Sequence, residues 1–349
     1  MKNKIRILIV DDSALVREIL CEGLSKDPDI EVIGTAADPY QARDILVTEK
    51  PDVITLDVEM PRMDGITFMK RFMKIIPTPT IIVSSLTEKN KRLSMDALEA
   101  GAVDIVPKPH AGLVDGLPLM ITDLIRKIKI AATVNVSRIR PKATVPISAD
   151  SIQPLDESTD RVIAIGASTG GTEALARILP VFPPASPGIV IVQHMPAEYT
   201  ASLAERLDRM SQMKVKEAAN RDRVLTGHIL VAPGGLKHMK IQRYGGQYRV
   251  KLVDGDPVSS HRPSVDVLFQ SVAEAVGKNA AAVLMTGMGK DGAAGLLQIK
   301  NAGGKTFAQD EKTSVVWGMP KIAWQMKAAE TMVSLENIPG TLINAIKRH

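Results

Sequence analysis

The chain is poor in three things, and each absence narrows what it can be. It has one cysteine, Cys21, in 349 residues, so no internal disulfide can form and no cysteine cluster can hold a metal. Aromatic residues make up only 3%, too few for the stacking surfaces with which single-stranded nucleic-acid binders grip bases. No apolar run reaches the roughly eighteen residues needed to cross a bilayer, so the chain is not expected to be membrane-embedded. Charge is mild as well: 44 Lys and Arg against 39 Asp and Glu leave +5, which does not by itself argue for nucleic acid. Met1-Lys-Asn-Lys-Ile-Arg leads straight into a strand with no signal-peptide pattern, from which a cytoplasmic location is expected.

What the chain does have is alternation of strand and helix, repeated twice, over a length sufficient for two domains with separate cores. The first repeat opens with Ile5-Arg-Ile-Leu-Ile-Val, a buried strand that ends on Asp11 and Asp12. A second apolar strand, Val53-Ile-Thr-Leu, ends on Asp57. In an alternating chain the strands are parallel, so three carboxylates converge on one edge of the sheet. Carboxylates that close repel unless a cation lies between them, and hard oxygen ligands suit Mg²⁺. Two further strands deliver Ser84 and Lys108 to the same edge, a hydroxyl and an ammonium of the kind a phosphoryl group on Asp57 needs for its free oxygens.

Residues 1–125 therefore resemble a response-regulator receiver domain, through Asp11, Asp12, Asp57, Ser84 and Lys108 in order, with Met60-Pro61 and Asp64-Gly65 following Asp57. The resemblance implies a doubly wound, flavodoxin-like fold. It implies that Asp57 accepts a phosphoryl group from a chemotaxis histidine kinase, and that Asp11, Asp12, Asp57 and the Glu59 carbonyl hold Mg²⁺. Many receivers carry an aromatic switch residue three before the lysine; Ile105 stands there instead, so rotation of a ring between two states is not expected.

From 126 to 160 periodicity fades, prolines interrupt, and charge passes from basic (Arg138, Arg140, Lys142) to acidic (Asp150, Asp156, Glu157, Asp160), the pattern of a solvated linker. The second domain, 161–349, begins with Val162-Ile-Ala-Ile, which Gly166 is expected to end, then a turn and a helix that Gly171 or Thr172 can cap. Gly166-Ala167-Ser168-Thr169-Gly170 fits G-x-S-x-G, which raises a serine hydroxyl above a sheet edge. A glycine-rich turn of this kind also cradles phosphate in nucleotide-binding domains, and the five residues alone do not decide between the two. Apolar strands also precede His194 and Asp291, and a hairpin is expected around Gly245-Gly246. If the strands are parallel, Ser168, His194 and Asp291 meet where open α/β sheets hold ligands. There an imidazole can take the serine proton while a carboxylate fixes the ring. Two alternatives stay open: His261 is a second candidate base, and Asp291 can instead cap the helix expected over 292–302.

With Gly-Ala-Ser-Thr-Gly-Gly, Gln-His-Met-Pro and Thr-Gly-Met-Gly-Lys-Asp-Gly in place behind a receiver, the whole chain resembles the chemotaxis protein-glutamate methylesterases. The resemblance implies a mostly parallel α/β catalytic domain that needs no cofactor of its own. In it Ser168 attacks the methyl ester of a receptor glutamate, His194 acts as base and then acid, and Asp291 orients His194. Thr169 lines the site and the Met288 N–H helps form an oxyanion hole. Methyl-accepting chemotaxis receptors are the implied substrates, with glutamine deamidation as the same acyl chemistry, and receptor arrays are the implied place of action. Phosphorylation of Asp57 is implied to relieve a cover that the receiver forms over the crevice. A second domain that reads DNA would need a basic recognition helix, which the glycine-rich turns of 161–292 do not supply.

Overall fold

A computed structural model describes residues 4–109, 113–136 and 160–347, and the chain divides into two compact units, 1–140 and 141–349. The first runs β1 (Ile5–Val10), α1 (Ala14–Ser25), β2 (Ile30–Ala36), α2 (Pro39–Glu49), β3 (Val53–Leu56), α3 (Gly65–Ile75), β4 (Thr80–Ser84), α4 (Glu88–Glu99), β5 (Asp104–Pro107) and α5 (Leu113–Ala131). Its five strands are parallel in the order β2-β1-β3-β4-β5. The central strands read as unbroken apolar runs because helices cover both faces, and Ile7 to Val10 and Val53 to Leu56 are all buried. Helix starts follow local chemistry: Ser13, Asp38, Asp64 and Thr87 each cap a helix through their side-chain oxygen. α5 continues to Ala131, into the stretch assigned to a linker from its composition; residues 137–159 of that stretch lie outside the described residues.

The second unit runs β6 (Val162–Ala167), α6 (Gly171–Ile178), β7 (Gly188–Gln193), α7 (Ala197–Met210), β8 (Lys214–Glu217), β9 (His228–Val231), β10 (Lys237–Tyr244), β11 (Gln247–Asp254), α8 (Val265–Ala275), β12 (Ala280–Leu284), α9 (Ala293–Asn301), β13 (Lys305–Gln309), α10 (Met319–Gln325), β14 (Thr331–Val333) and α11 (Ile338–Lys347). Seven parallel strands form one sheet in the order β14-β13-β12-β6-β7-β9-β8. β10 and β11 form a separate hairpin, closed between Tyr244 and Gln247 by Gly245 and Gly246 at positive φ, the backbone a two-residue turn demands. The hairpin lies on α8: the Ile241 N–H donates to Ser271 Oγ at 2.8 Å, and Met239, Ile241, Tyr248 and Val250 are buried in the same core as Leu268 and Val272.

Two local expectations are corrected. Gly166 does not end its strand; it pairs with Leu284 on one side and Val192 on the other, and β6 continues to Ala167. What glycine supplies there is room, since a Cβ would fall 2.3 Å from Val265 Cγ1. The cap of α6 is neither Gly171 nor Thr172 but Gly170, with φ +77°, a turn geometry that glycine adopts without strain.

Candidate active site

β12, β6 and β7 are neighbours at the centre of the large sheet. Chain connections leave β6 toward β7 on one side while β12 arrives on the other, so the edge beyond their C-terminal ends is a switch point where a crevice forms. Each strand delivers one of the three expected residues. Ser168 follows β6, and its N–H donates to the Thr286 carbonyl at 3.0 Å, beyond the end of β12. His194 follows β7, and its N–H donates to the Ala167 carbonyl at 3.0 Å, extending the ladder by one residue and setting the imidazole next to the serine turn. Asp291 lies in the turn between β12 and α9, buried at 1% exposure.

His194 Nε2 and Asp291 Oδ2 are 2.8 Å apart. The carboxylate also accepts from Ser264 Oγ (2.7 Å), the Val265 N–H (2.7 Å) and the Asp266 N–H (3.1 Å). Burial drives its pKa up, but the bond and charge of His194, with Ser264 and Val265, outweigh burial and hold it below the ordinary carboxylate range. An ionised carboxylate only accepts, so Nε2 carries the proton and Nδ1 presents its lone pair. Nδ1 is buried without a hydrogen-bond partner among the described residues, and Ser168 Oγ makes no hydrogen bond to it there. Nucleophile–base bonds of this kind commonly form only with substrate bound.

Asp291 is a helix cap as well as a histidine partner, but of a different helix from the one its position suggests. Beside the N-cap Ser264 it takes the first two N–H groups of α8, while Asp266, in the first turn of α8, accepts the Gly295 N–H of α9 at 2.7 Å. Thus the first N–H groups of α8, whose N-cap is Ser264, donate to a carboxylate just ahead of α9, and an N–H of the first turn of α9 donates to a carboxylate of α8. Two carboxyls so near share their charge unequally: burial first, and then Asp291, push Asp266 up to about 6.

Residues inside the quoted motifs that sequence reasoning gave no role complete the site. Gln193 Nε2 bridges the carbonyls of Ser168 (2.8 Å) and His194 (3.0 Å), clamping the two segments together. Thr286 Oγ1 donates to the Thr169 carbonyl at 3.0 Å and accepts the Val316 N–H at 3.0 Å. Gly287 touches the Ser168 turn, because a Cβ there would lie 2.6 Å from Ser168 Cβ. Next to it the Met288 N–H makes no hydrogen bond among the described residues, while the Gly287 carbonyl is taken by Gly318 and Met319. The glycines of the serine turn are explained by protein neighbours: a Cβ on Gly170 would meet Val315 at 2.5 Å, and one on Gly171 would meet Gln193 Oε1 at 2.1 Å. Space beside that turn is filled by side chains, which weighs against a phosphate cradle.

At the edge of the first unit, the Asp57 N–H donates to the Val10 carbonyl at 2.9 Å, which sets Asp57 beside Asp11. One carboxylate oxygen from each of Asp11, Asp12 and Asp57 lies within 4.8 Å of the others. Lys108 Nζ sits 2.7 Å from Asp11 and 2.6 Å from Asp57. Burial raises both aspartate pKa values in spite of the lysine. The lysine is held above its own ordinary value by the two carboxylates, although burial pulls it down. A single ammonium against three carboxylates leaves negative charge in excess, and the donors are hard oxygens, so the cluster fits Mg²⁺. Ser84 is fully buried at the end of β4, and its carbonyl accepts the Lys108 N–H at 2.8 Å. Ile105 is buried in β5, where its carbonyl accepts from Lys127 Nζ.

Residues 163–342 match the CheB methylesterase family and residues 7–113 the response regulator receiver domain family. A protein-glutamate methylesterase/protein-glutamine glutaminase of Syntrophotalea carbinolica is 52% identical over 349 residues, covering 99% of both chains. One of Sulfurimonas denitrificans is 53% identical over 339 residues, covering 96% of both. Among solved structures, the CheB methylesterase catalytic domain of Thermotoga maritima aligns with a TM-score of 0.52 and 39% identity, over 53% of this chain and 97% of that one.

Proposed function

The chain belongs to the CheB methylesterase family and carries a response regulator receiver domain ahead of the esterase domain, and on that premise we propose that Ser168, His194 and Asp291 hydrolyse methyl esters on glutamate side chains of chemotaxis receptors. The observation that carries this reading is the 2.8 Å pair of His194 and Asp291, with the imidazole Nδ1 left open at the end of the strand beside Ser168.

The steps follow from what each group can hold. Ser168 Oγ attacks the ester carbonyl carbon as His194 Nδ1 takes its proton, and Asp291 steadies the imidazolium through Nε2. The carbonyl oxygen becomes an oxyanion, for which the Met288 N–H is a donor, with Thr169 lining the same side. Collapse breaks the bond to the methoxy oxygen, and His194 returns its proton so that methanol leaves. Water then attacks the serine ester by the same route in reverse order, freeing the glutamate carboxylate and Ser168. With a glutamine side chain the group that departs is ammonia, and the remaining steps are unchanged.

In the receiver, Asp57 is the phosphoryl acceptor, with a chemotaxis histidine kinase as donor, and Ser84 and Lys108 contact the phosphoryl oxygens. Asp11, Asp12, Asp57 and the Glu59 carbonyl would hold Mg²⁺, which supplies charge neutralisation for the incoming phosphoryl group. The domains divide as receiver, residues 1–125 with its last helix α5 running on to Ala131, then the linker to 160 and the catalytic domain, 161–349, and the enzyme works at membrane receptor arrays.

The decisive measurement is mass spectrometry of a methylated receptor fragment incubated with wild type and with Ser168→Ala. Wild type is expected to remove 14 Da (one CH₂) per ester, in the sense of about one methyl replaced by hydrogen, and Ser168→Ala to leave the esters in place; demethylation by the variant would overturn the serine assignment. A phosphodonor is expected to raise the wild-type rate and to have no effect on Asp57→Asn.

A further inference from the structure

A second imidazole stands against the first. His261, in the loop between β11 and α8, lays its ring over that of His194 with centroids 3.8 Å apart and planes 4° from parallel. The loop is built to hold it there. Val258 and His261 exchange both backbone hydrogen bonds, at 3.1 and 3.0 Å, closing a turn whose corner residues Ser259 and Ser260 have φ of 51° and 65°. Serine is strained in left-handed backbone, and such strain persists where surrounding structure imposes it, often at functional sites. Arg262 braces the next residue, with Nε and Nη1 donating to the carbonyls of Gly235 and Gly255 at 2.9 and 2.7 Å. His261 Nδ1 is 2.7 Å from the Ser259 carbonyl. A carbonyl only accepts, so that nitrogen carries the proton and the ring plane is set.

His194, His261 and Asp291 place ligand atoms within 4.8 Å of one another, which invites a metal reading. The stack argues against it: parallel rings aim their in-plane lone pairs side by side, whereas a cation needs donors that converge on one point. The stack has a different consequence for charge. Two neutral aromatic rings face to face set like quadrupole against like, so the contact adds little while His194 is neutral. An imidazolium against a π-face is attracted to it. The contact therefore strengthens as His194 takes the Ser168 proton, which is the condition an interaction must meet to speed the chemical step.

We propose that His261 is a positioning residue of the esterase, a flat face held against His194 that favours the imidazolium formed during acyl transfer. This rests on the ester-hydrolase reading above. Asp291 bonds the Nε2 of His194 from the turn after β12, and Asp266 of α8 stands behind Asp291. Glu198 is exposed at the start of α7, Lys290 is exposed before Asp291, and Arg262 is turned to backbone carbonyls. The serine turn of Ser168 and Thr169 brings no ionisable group. His261 alone covers the ring face in the described contacts.

The test compares His261→Ala, His261→Gln and His261→Phe with wild type by methanol release from methylated receptor membranes across pH, with a thermal melt of each variant. Glutamine can keep the bond to the Ser259 carbonyl without a π-face, and phenylalanine keeps the face without an ionisable group. Ala and Gln are expected to lose kcat on the order of tenfold with KM within about twofold. Their acid limb of kcat/KM should move to lower pH, because an unsupported imidazolium gives up its proton more readily. Phe is expected to stay within about threefold of wild type with the limb near its original position. Should Ala fail to fold, Gln against Phe decides the question. A wild-type rate in Ala or Gln, a loss with the limb unmoved, or a Phe variant as slow as Gln overturns the proposal while leaving the esterase reading intact. A wild type that releases no methanol overturns both.

Discussion

Replacing Asp291 with asparagine tests the site most sharply, because the change is nearly isosteric and the carboxylate has four donors around it. Oδ2 accepts from His194 Nε2 and the Val265 N–H, Oδ1 from Ser264 Oγ and the Asp266 N–H. Every placement of the new NH₂ therefore sets it against a backbone N–H that cannot turn away. Facing Oδ1's partners, the amide loses the Asp266 bond and the negative charge. Facing Oδ2's partners, it loses the Val265 bond and donates to Nε2, which moves the imidazole proton to Nδ1 and leaves no lone pair for Ser168. Hydrogen bonds to a charged group are worth about 1.5–3 kcal/mol each, and the start of α8 loses a favourable anion worth about 0.3–1 kcal/mol. A destabilisation of about 2–4 kcal/mol follows, read as a lower melting temperature of the catalytic unit. Catalysis suffers more. The equivalent change in a Ser-His-Asp protease lowers kcat about 10⁴-fold, and here a fall of about 10³ to 10⁴ is expected, about 4–5.5 kcal/mol at 1.36 kcal/mol per decade. KM should change little, since Asp291 is buried beneath His194. Methanol release assayed well below the variant's melting temperature separates the two effects. A folded Asp291→Asn enzyme within tenfold of wild-type kcat would falsify the roles given to Asp291 and His194.

Gly287→Ala places a Cβ 2.6 Å from Ser168 Cβ and 2.4 Å from Met319 Sδ; a nucleophile displaced by about 1 Å loses about 100-fold in rate, and an unimpaired esterase would contradict the packing described. Gly65→Ala sets a Cβ 2.0 Å from the Asp57 carbonyl oxygen, so the receiver should lose about 1–3 kcal/mol in urea unfolding and accept phosphate from a small phosphodonor more slowly, whereas an unchanged midpoint and rate would count against it. Asp266 is held up at about 6 and is acidic when unfolded, so the stability it contributes is present below about pH 4 and lost as pH rises through about 6. Asp266→Asn should flatten that decline in melts of the catalytic unit, and a slope equal to wild type would remove the assigned cause.

How much of this was legible depended on whether the signal was local. Asp11, Asp57, Ser84 and Lys108 stand at the ends of apolar strands, and alternation makes such strands parallel, so their meeting could be read from order alone. Ser168 and His194 followed by the same reasoning, and Asp291 was found in the turn after a third strand. Gln193 stands inside the Gln-His-Met-Pro motif, yet its role is not legible there, because a glutamine at a strand end has no chemistry that spacing reveals; its work is to bridge two carbonyls that only folding brings together. Gly166 and Gly170 were both visible as glycines, yet their reasons differ: one makes room for Val265 from α8, the other turns the chain with positive φ.

Periodicity, strand-end polar residues and glycine turns by themselves determined two α/β units, the acidic edge of the first and the placing of Ser168, His194 and Asp291 just beyond strand ends in the second. Each of these depends on neighbours a few residues apart or on a topology that alternation enforces. Tertiary structure alone decided which helix start Asp291 bonds, which ring covers His194 and which of its nitrogens pairs with Asp291. Those contacts join segments separated by 25 to 97 positions, and their geometry is set by how helices and loops pack across the sheet edge, a quantity that no stretch of chain carries in its own pattern.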